Sequence, residues 1–121
     1  MLSIDTQNHE PIYLQIEKQI LKLIQHGVYP TNCPLPSVRA MACELGINPN
    51  TVARAYKELE AKNVLYTIIG KGVFVSENHS IYINSLAVDE LKKSLSNAKY
   101  SGIAKSDVIE LINKEWREQN D

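Results

Sequence analysis

Gly46-Ile47-Asn48-Pro49 ends one helix and starts another within four residues. Glycine takes the left-handed conformation that closes a helix, asparagine caps the next one, and proline suits a first helical position because its missing N–H would be unpaired there. On the near side of this turn, Ser37 is placed to cap a short helix that reaches Leu45, with Val38, Met41, Ala42 and Leu45 as its apolar side. On the far side, a third helix runs to about Lys62. Val52, Ala55, Tyr56 and Leu59 form its inward stripe, and Asn50, Ala53, Arg54 and Lys57 share the opposite side.

Upstream, Ile12, Ile16, Ile20, Leu23 and Ile24 recur at helical spacing, with Glu17, Lys18, Lys22 and Gln25 between them. Pro11 is expected at the first helical position and Gly27 just past the end, giving a helix over residues 11–26. The stretch Tyr29-Pro30-Thr31-Asn32-Cys33-Pro34-Leu35-Pro36 carries three prolines and reads as a connecting loop. After Asn63 the pattern changes. Val64 to Ile69 is β-branched and aromatic, Gly70-Lys71-Gly72 follows, and then Val73-Phe74-Val75, which together predict a β-hairpin. Helix, helix, tight turn, helix, hairpin is the order of a winged helix-turn-helix. The fold class is therefore α+β: a winged helix-turn-helix over residues 1–76 and a two-helix tail over residues 77–121. In the tail, Ile81, Val88 and Leu95 are seven apart, and Leu91 and Ala98 extend the seam. Gly102 interrupts it, and Val108, Leu111, Ile112 and Trp116 line a second helix.

Composition narrows the class without naming the ligand. The 121 residues carry a formal net charge of −1, with seven Lys and Arg against six Asp and Glu up to Ser76 and six against eight after it. Any positive patch must come from where the charges sit. Cys33 and Cys43 lack a CxxC partner and read as free thiols, and His9, His26 and His79 share no metal-ligand spacing, so neither metal nor cofactor is expected. No apolar run approaches membrane-spanning length, and the first residues do not read as a secretory signal. The expected location is cytoplasmic, away from membranes.

PIYLQIEKQI, LPSVRAMACELGINPNTVARAYKELEAKNVL and GKGVFV, in that order between Pro11 and Val75, resemble the DNA-binding domain of the GntR family of bacterial transcriptional regulators. The short tail with AKYSGIAKSDVIELI is similar to the YtrA-like branch, whose two tail helices serve dimerisation. Members of this kind are usually repressors. The resemblance thus implies a repressor that binds an operator as a homodimer. Some positions depart from the pattern. The loop before Leu35-Pro36-Ser37 usually holds a glycine and a basic residue where this chain has Asn32 and Pro34. Glycine is usual at Asn63, arginines are common where Ile68 and Ile69 stand, and a capping serine is common at Ala104.

The candidate DNA-binding residues are Ser37, Arg39, Asn48, Pro49, Asn50, Thr51, Arg54, Gly70 and Lys71. In a helix-turn-helix the first residues of the second helix reach base edges in the major groove. Asn50 is the expected base reader, because its amide can pair bidentately with adenine. Thr51 is assigned to a phosphate, on the expectation that it sits over free backbone N–H groups. Asn48 can serve a phosphate or only cap the helix. Arg39 matches the family arginine that contacts DNA, by resemblance, and its fork suits a phosphate or a guanine edge; the alternative is a solvated surface arginine. Arg54, one turn after Asn50, can reach the DNA or pair with Glu58 at i+4. Lys57 is the weakest candidate. Gly70 and Lys71 suit a wing tip at the minor groove and its phosphates, and equally a plain hairpin turn.

The dimer is assigned to Ile81, Val88, Leu91, Leu95, Ile112 and Trp116, since two short helices cannot bury two apolar faces alone. Their stripe could instead pack on the first three helices. Two copies demand an inverted-repeat operator of double-stranded DNA. The tail is too short to enclose a ligand pocket of usual size, so no small-molecule effector is indicated. An enzyme finds no support: there is no paired-carboxylate site, no Ser/His/Asp arrangement, and Gly70-Lys71-Gly72 lacks phosphate-loop spacing. The remaining alternative is a winged-helix protein-interaction module without DNA binding, which the near-neutral charge, Ile68 and Ile69 keep open.

Overall fold

The computed structural model describes the backbone of residues 2–120 and the side chains of residues 2–117. Its elements are α1 (Ile12–Gln25), α2 (Val38–Leu45), α3 (Pro49–Ala61), β1 (Leu65–Ile68), β2 (Gly72–Val75), α4 (His79–Tyr100) and α5 (Lys105–Asn120). They divide into two compact units, the first ending at Asn84 and the second beginning at Ser85. The division falls inside α4, eight residues past the expected boundary at residue 76, because the first turns of α4 are anchored in the first unit. Ile83 is buried there, Thr31 Oγ1 lies 3.4 Å from His79 Nε2, and the Lys62 ammonium sits 5.0 Å from the centre of the Tyr82 ring. Among the described residues no helix is long and apolar enough to cross a membrane.

The first unit is built on α3, which packs against α1, α2 and β1. Ile16 and Ile20 of α1, Met41 and Ala42 of α2, Val52, Ala55 and Leu59 of α3, and Val64, Leu65 and Val75 of the hairpin form its core. The helix ends follow their caps closely. Gly46 closes α2 at φ 68°, and Asn48 opens α3 with Pro49 at its first position. Pro11 differs from expectation: with ψ at 146° it is the N-cap of α1, and the first helical residue is Ile12. Its carbonyl accepts from the N–H of Leu14 and of Gln15, which a cap residue does equally well without an N–H of its own.

β1 and β2 pair antiparallel with Leu65 opposite Val75 and Ile68 opposite Gly72. The proline-rich segment is more than a connection. Its Asn32 and Leu35 N–H groups donate to Val75 and Val73 carbonyls at 2.8 Å, and Val75 N–H returns a bond to Cys33 at 3.0 Å. It therefore covers the outer edge of β2, with Pro34 bridged to Phe74. Two departures from the family pattern find their reason in the backbone. Asn32 and Asn63 have φ of 66° and 62°, the left-handed region that glycine adopts freely and asparagine tolerates best among other residues.

The N-terminal segment is held by two side chains one turn apart on α1. Gln15 accepts from Asp5 N–H and donates to the carbonyls of Asp5 and Glu10, each at 3.0 Å. Gln19 makes the same reciprocal pair with Ser3. Glu17, expected among the polar residues of α1, is instead buried at 3% exposure, 3.5 Å from the Lys62 ammonium. Removal from water and hydrogen bonding with Glu58 push its carboxyl from the ordinary 4.5 up to about 7, against the pull of Lys62.

The folded state thus keeps a proton that the unfolded chain gives up. Stability from this group is complete below about pH 4.5 and is lost as pH rises to about 7. Glu17→Gln removes this titration. Its urea-unfolding free energy, relative to wild type, is expected to climb between those two pH values and level off above them. A constant difference across the range would mean that Glu17 is ionised throughout in the fold.

Candidate nucleic-acid interface

The N-terminal ends of α2 and α3 carry most of the candidate residues, and each is closed by a side chain. Ser37 Oγ accepts from Ala40 N–H at 3.0 Å, which leaves its hydroxyl hydrogen free to donate. Asn48 Oδ1 accepts from Asn50 N–H at 2.8 Å, so its oxygen is committed to the cap while its amide NH2 keeps two donors. The capping role of Asn48 is therefore present, and it is compatible with a phosphate contact. Thr51 differs from expectation in its surroundings. Its own N–H donates to Asn48 O at 3.0 Å and that of Asn50 is taken by the cap, so neither is free for an anion. A phosphate at this point would be held by side chains.

Asn50 is exposed, and no intramolecular bond engages its side-chain amide among the described residues. Arg39 is exposed on the first turn of α2, and Lys57 is exposed on α3. Neither they nor Lys71 has an ion-pair partner among the described residues. Arg54 is different. Its guanidinium lies 3.7 Å from the centre of the Tyr13 ring, and its Nε is 3.7 Å from Glu58 Oε2. The i+4 pair is thus formed, and a cation–π contact with α1 adds to it. Tyr13 has no warning in the sequence, because its position over Arg54 depends on how α1 packs on α3.

The wing tip is Ile69-Gly70-Lys71. Lys71 N–H donates to Ile68 O at 2.9 Å, and Gly70 takes φ 82°. Gly70 is thus required by the turn, and Lys71 stands exposed beside it. In the second unit, Val88, Leu91, Leu95, Ile112 and Trp116 are all exposed, with Leu95 at 41% and Trp116 at 61%. Ile81, at the end of the first unit, is 72% exposed, whereas Ile83 two residues on is buried. The residues expected to pair two copies are thus exposed apolar side chains, and the inward anchor of α4 is a residue that the heptad count passed over.

An exposed polar helix start preceded by a capped short helix, with a hairpin after it, defines a winged helix-turn-helix protein. The model of bacterial regulatory proteins, gntR family, matches residues 12–75. The HTH-type transcriptional repressor YtrA of Bacillus subtilis is 36% identical over 107 residues, covering 85% of this chain and 82% of YtrA. A GntR family transcriptional regulator from Listeria monocytogenes superposes with a TM-score of 0.78 at 33% identity, covering 92% of this chain and 98% of that one. YtrA from Sulfolobus acidocaldarius, a GntR-family transcription factor, gives 0.64 at 32% identity over 78% of this chain and 97% of its own. The chain belongs to the GntR family, with its likeness to YtrA-type members running through the tail, and is a sequence-specific DNA-binding transcriptional regulator.

Capping and reading can be separated by stability. Asn48→Ala is expected to cost about 1 kcal/mol through loss of the cap. Asn50→Ala, at an exposed and unengaged position, should stay within about 0.5 kcal/mol of wild type. Chemical denaturation of the two variants checks this, and equal losses would show that Asn50 also supports the fold.

Proposed function

We propose that this protein is a repressor that binds an inverted-repeat operator as a homodimer, with α3 in the major groove and the hairpin at the minor groove. The observation that supports it best is the split among its cations. Arg54 and Lys62 are engaged within the domain, whereas Arg39 on α2 and Lys71 on the wing tip are exposed and have no ion-pair partner among the described residues. Exposed cations on α2 and the wing, together with an exposed Asn50 on α3, are what a phosphate-positioned base reader needs. In this reading Asn50 pairs with an adenine edge, Ser37, Arg39, Asn48, Thr51 and Lys71 hold phosphates, Arg54 adds a contact when released from Glu58, and Pro49 and Gly70 shape the backbone that approaches the DNA. Residues up to the first turns of α4 form the DNA-binding part. The later part of α4 and α5 pair two copies through Val88, Leu91, Leu95, Ile112 and Trp116, with Ile81 at the margin. The working place is the cytoplasm, where operator DNA is, and no catalytic step is assigned.

A twofold axis sets the operator. Both recognition helices enter one face of the duplex only if half-site centres lie about 10 base pairs apart or a multiple of that. Leu95→Asp places a charge at the pairing surface, where an unpaired carboxylate is costly to bury. Sedimentation should find the wild type dimeric at micromolar concentration and the variant monomeric. A gel shift on an inverted-repeat site should show the variant binding much more weakly. A wild-type monomer that still binds its site tightly overturns the dimer. Absence of any salt-dependent DNA binding overturns the operator reading and favours a protein-interaction module.

A further inference from the structure

Among the described residues Ile69 is the most exposed large apolar residue, at 96%, and Ile68 beside it is 40% exposed. Isolated exposed isoleucines are ordinary on protein surfaces. This one stands at the tip of a tight turn, where Gly, Asn, Asp and Pro are the residues that help the backbone and a β-branched side chain does not. The turn itself is carried by Gly70 at φ 82° and by the Lys71 N–H bond to Ile68 O. Ile69 therefore contributes nothing visible to the turn or to the core.

The hairpin is also fixed at its base. Tyr66 and Phe74 stack with ring centres 5.4 Å apart, and Tyr66 Oη donates to Asn32 Oδ1 at 2.9 Å. Thr67 Oγ1 donates to Glu60 Oε2 at 3.2 Å, and the Asn32–Leu35 segment bonds along the outer edge of β2. The tip is thus presented on a braced ribbon. Two isoleucines on a turn are far too small for a protein–protein interface, which needs about 800 Å² from each partner. A single projecting side chain does match the minor groove, only about 6 Å wide. Lys71 and Gly70 next to it supply a cation for the flanking phosphates and a backbone without a side chain in the way.

We propose that Ile69 is a specificity-determining residue that enters the minor groove at the wing and selects A·T over G·C pairs there, an inference that rests on the DNA-binding reading above. The selection is chemical. The floor of the groove offers only acceptors at A·T, whereas G·C adds the guanine N2 amine. An isoleucine on the floor strips water from the acceptors of either pair. At G·C it also leaves the guanine amine buried without a partner, so G·C carries the larger penalty. An apolar contact neutralises no phosphate, so it adds preference without adding salt dependence.

The test uses full-length protein and an operator selected from random DNA, with the wing-facing pairs located by footprinting. Each such pair is changed from A·T to G·C and to inosine·C, which lacks the N2 amine and so presents an A·T-like minor groove. Wild type should lose about five- to hundredfold on G·C and recover on inosine·C. Ile69→Ala should bind all three alike, with an unchanged salt slope. Ile69→Lys should also lose the preference while steepening the slope by about one unit. Both variants should melt with wild type, since the residue is almost wholly exposed. A G·C penalty that persists in Ile69→Ala, or no penalty at the wing in wild type, overturns the proposal while DNA binding stands. Wild type that binds no DNA overturns both readings together.

Discussion

The inward stripe of α3 is the constraint on which the domain rests. Val52, Ala55, Tyr56 and Leu59 are all buried, and they meet α1, α2 and β1 at once. Tyr56 adds direction, because its hydroxyl donates to Pro36 O at 2.7 Å and so ties the entry of α2 to the middle of α3. Burial pushes its phenol well above the ordinary tyrosine value, so it stays a neutral donor. Once this face is spent on three neighbours, the opposite face of the same helix has nowhere to go but solvent. Asn50, Arg54 and Lys57 are outward because Val52, Ala55 and Leu59 are inward. This outward face, the proposed recognition surface, is in this sense a by-product of the core, fixed to it by the helical period.

Elements marked by local chemistry were legible in the residues themselves. Ser37, Gly46, Asn48 and Pro49 act within a few residues of where they stand, so the turn between α2 and α3 needs no tertiary knowledge. The hairpin is legible for the same reason, from β-branched runs around glycines. What the residues did not disclose depends on partners distant in the chain. The burial of Glu17 requires Lys62, 45 positions on. The edge pairing of Asn32 to Leu35 requires β2, and a proline-rich segment reads as a loop even where its remaining N–H groups complete a ladder. Gln15 and Gln19 look like ordinary polar positions until Ser3 and Asp5 lie alongside them. In α4 a seven-residue repeat selects Ile81, but the packing at the first unit takes Ile83, because that end of the helix answers to the core of the domain and only the rest is free to follow a repeat.

Of the site residues, the caps are the best determined by sequence and the contacts the least. Ser37 and Asn48 each have a bond that can be counted in the fold. Arg54 shows why a motif alone does not assign a role. It belongs to the outward face, yet Tyr13 and Glu58 hold its guanidinium, and 61% of its side chain remains exposed. Each restraint is a fraction of a kcal/mol to about 1 at a solvent-accessible site. That is small beside a charge-assisted bond to phosphate. The arginine is therefore oriented in the free protein without being locked, which lowers the ordering cost of moving it to a new partner.

The same pairing resolves the apparent conflict between a near-neutral chain and a polyanionic partner. What DNA meets is the local field within a Debye length, about 8 Å at physiological salt, and the summed charge of the protein is irrelevant beyond it. Glu58 is matched by Arg54, and Glu17 is buried beside Lys62 with its carboxyl raised toward neutrality. Glu17 and Glu58 are thus compensated inside the domain, whereas Glu60 is exposed with a hydrogen bond from Thr67, and Lys22, Arg39, Lys57 and Lys71 are exposed without an ion-pair partner among the described residues. Three phosphate contacts in one copy would give a salt slope of only about −2.7 at about −0.9 per phosphate, which is weak purchase on a duplex. In the dimer proposed above, pairing two copies through uncharged side chains such as Leu91, Leu95 and Trp116 would double the phosphate contacts, against a tail that itself carries six Lys and Arg and eight Asp and Glu. In that reading an uncharged pairing surface is the complement to a domain whose free positive charge is sparse.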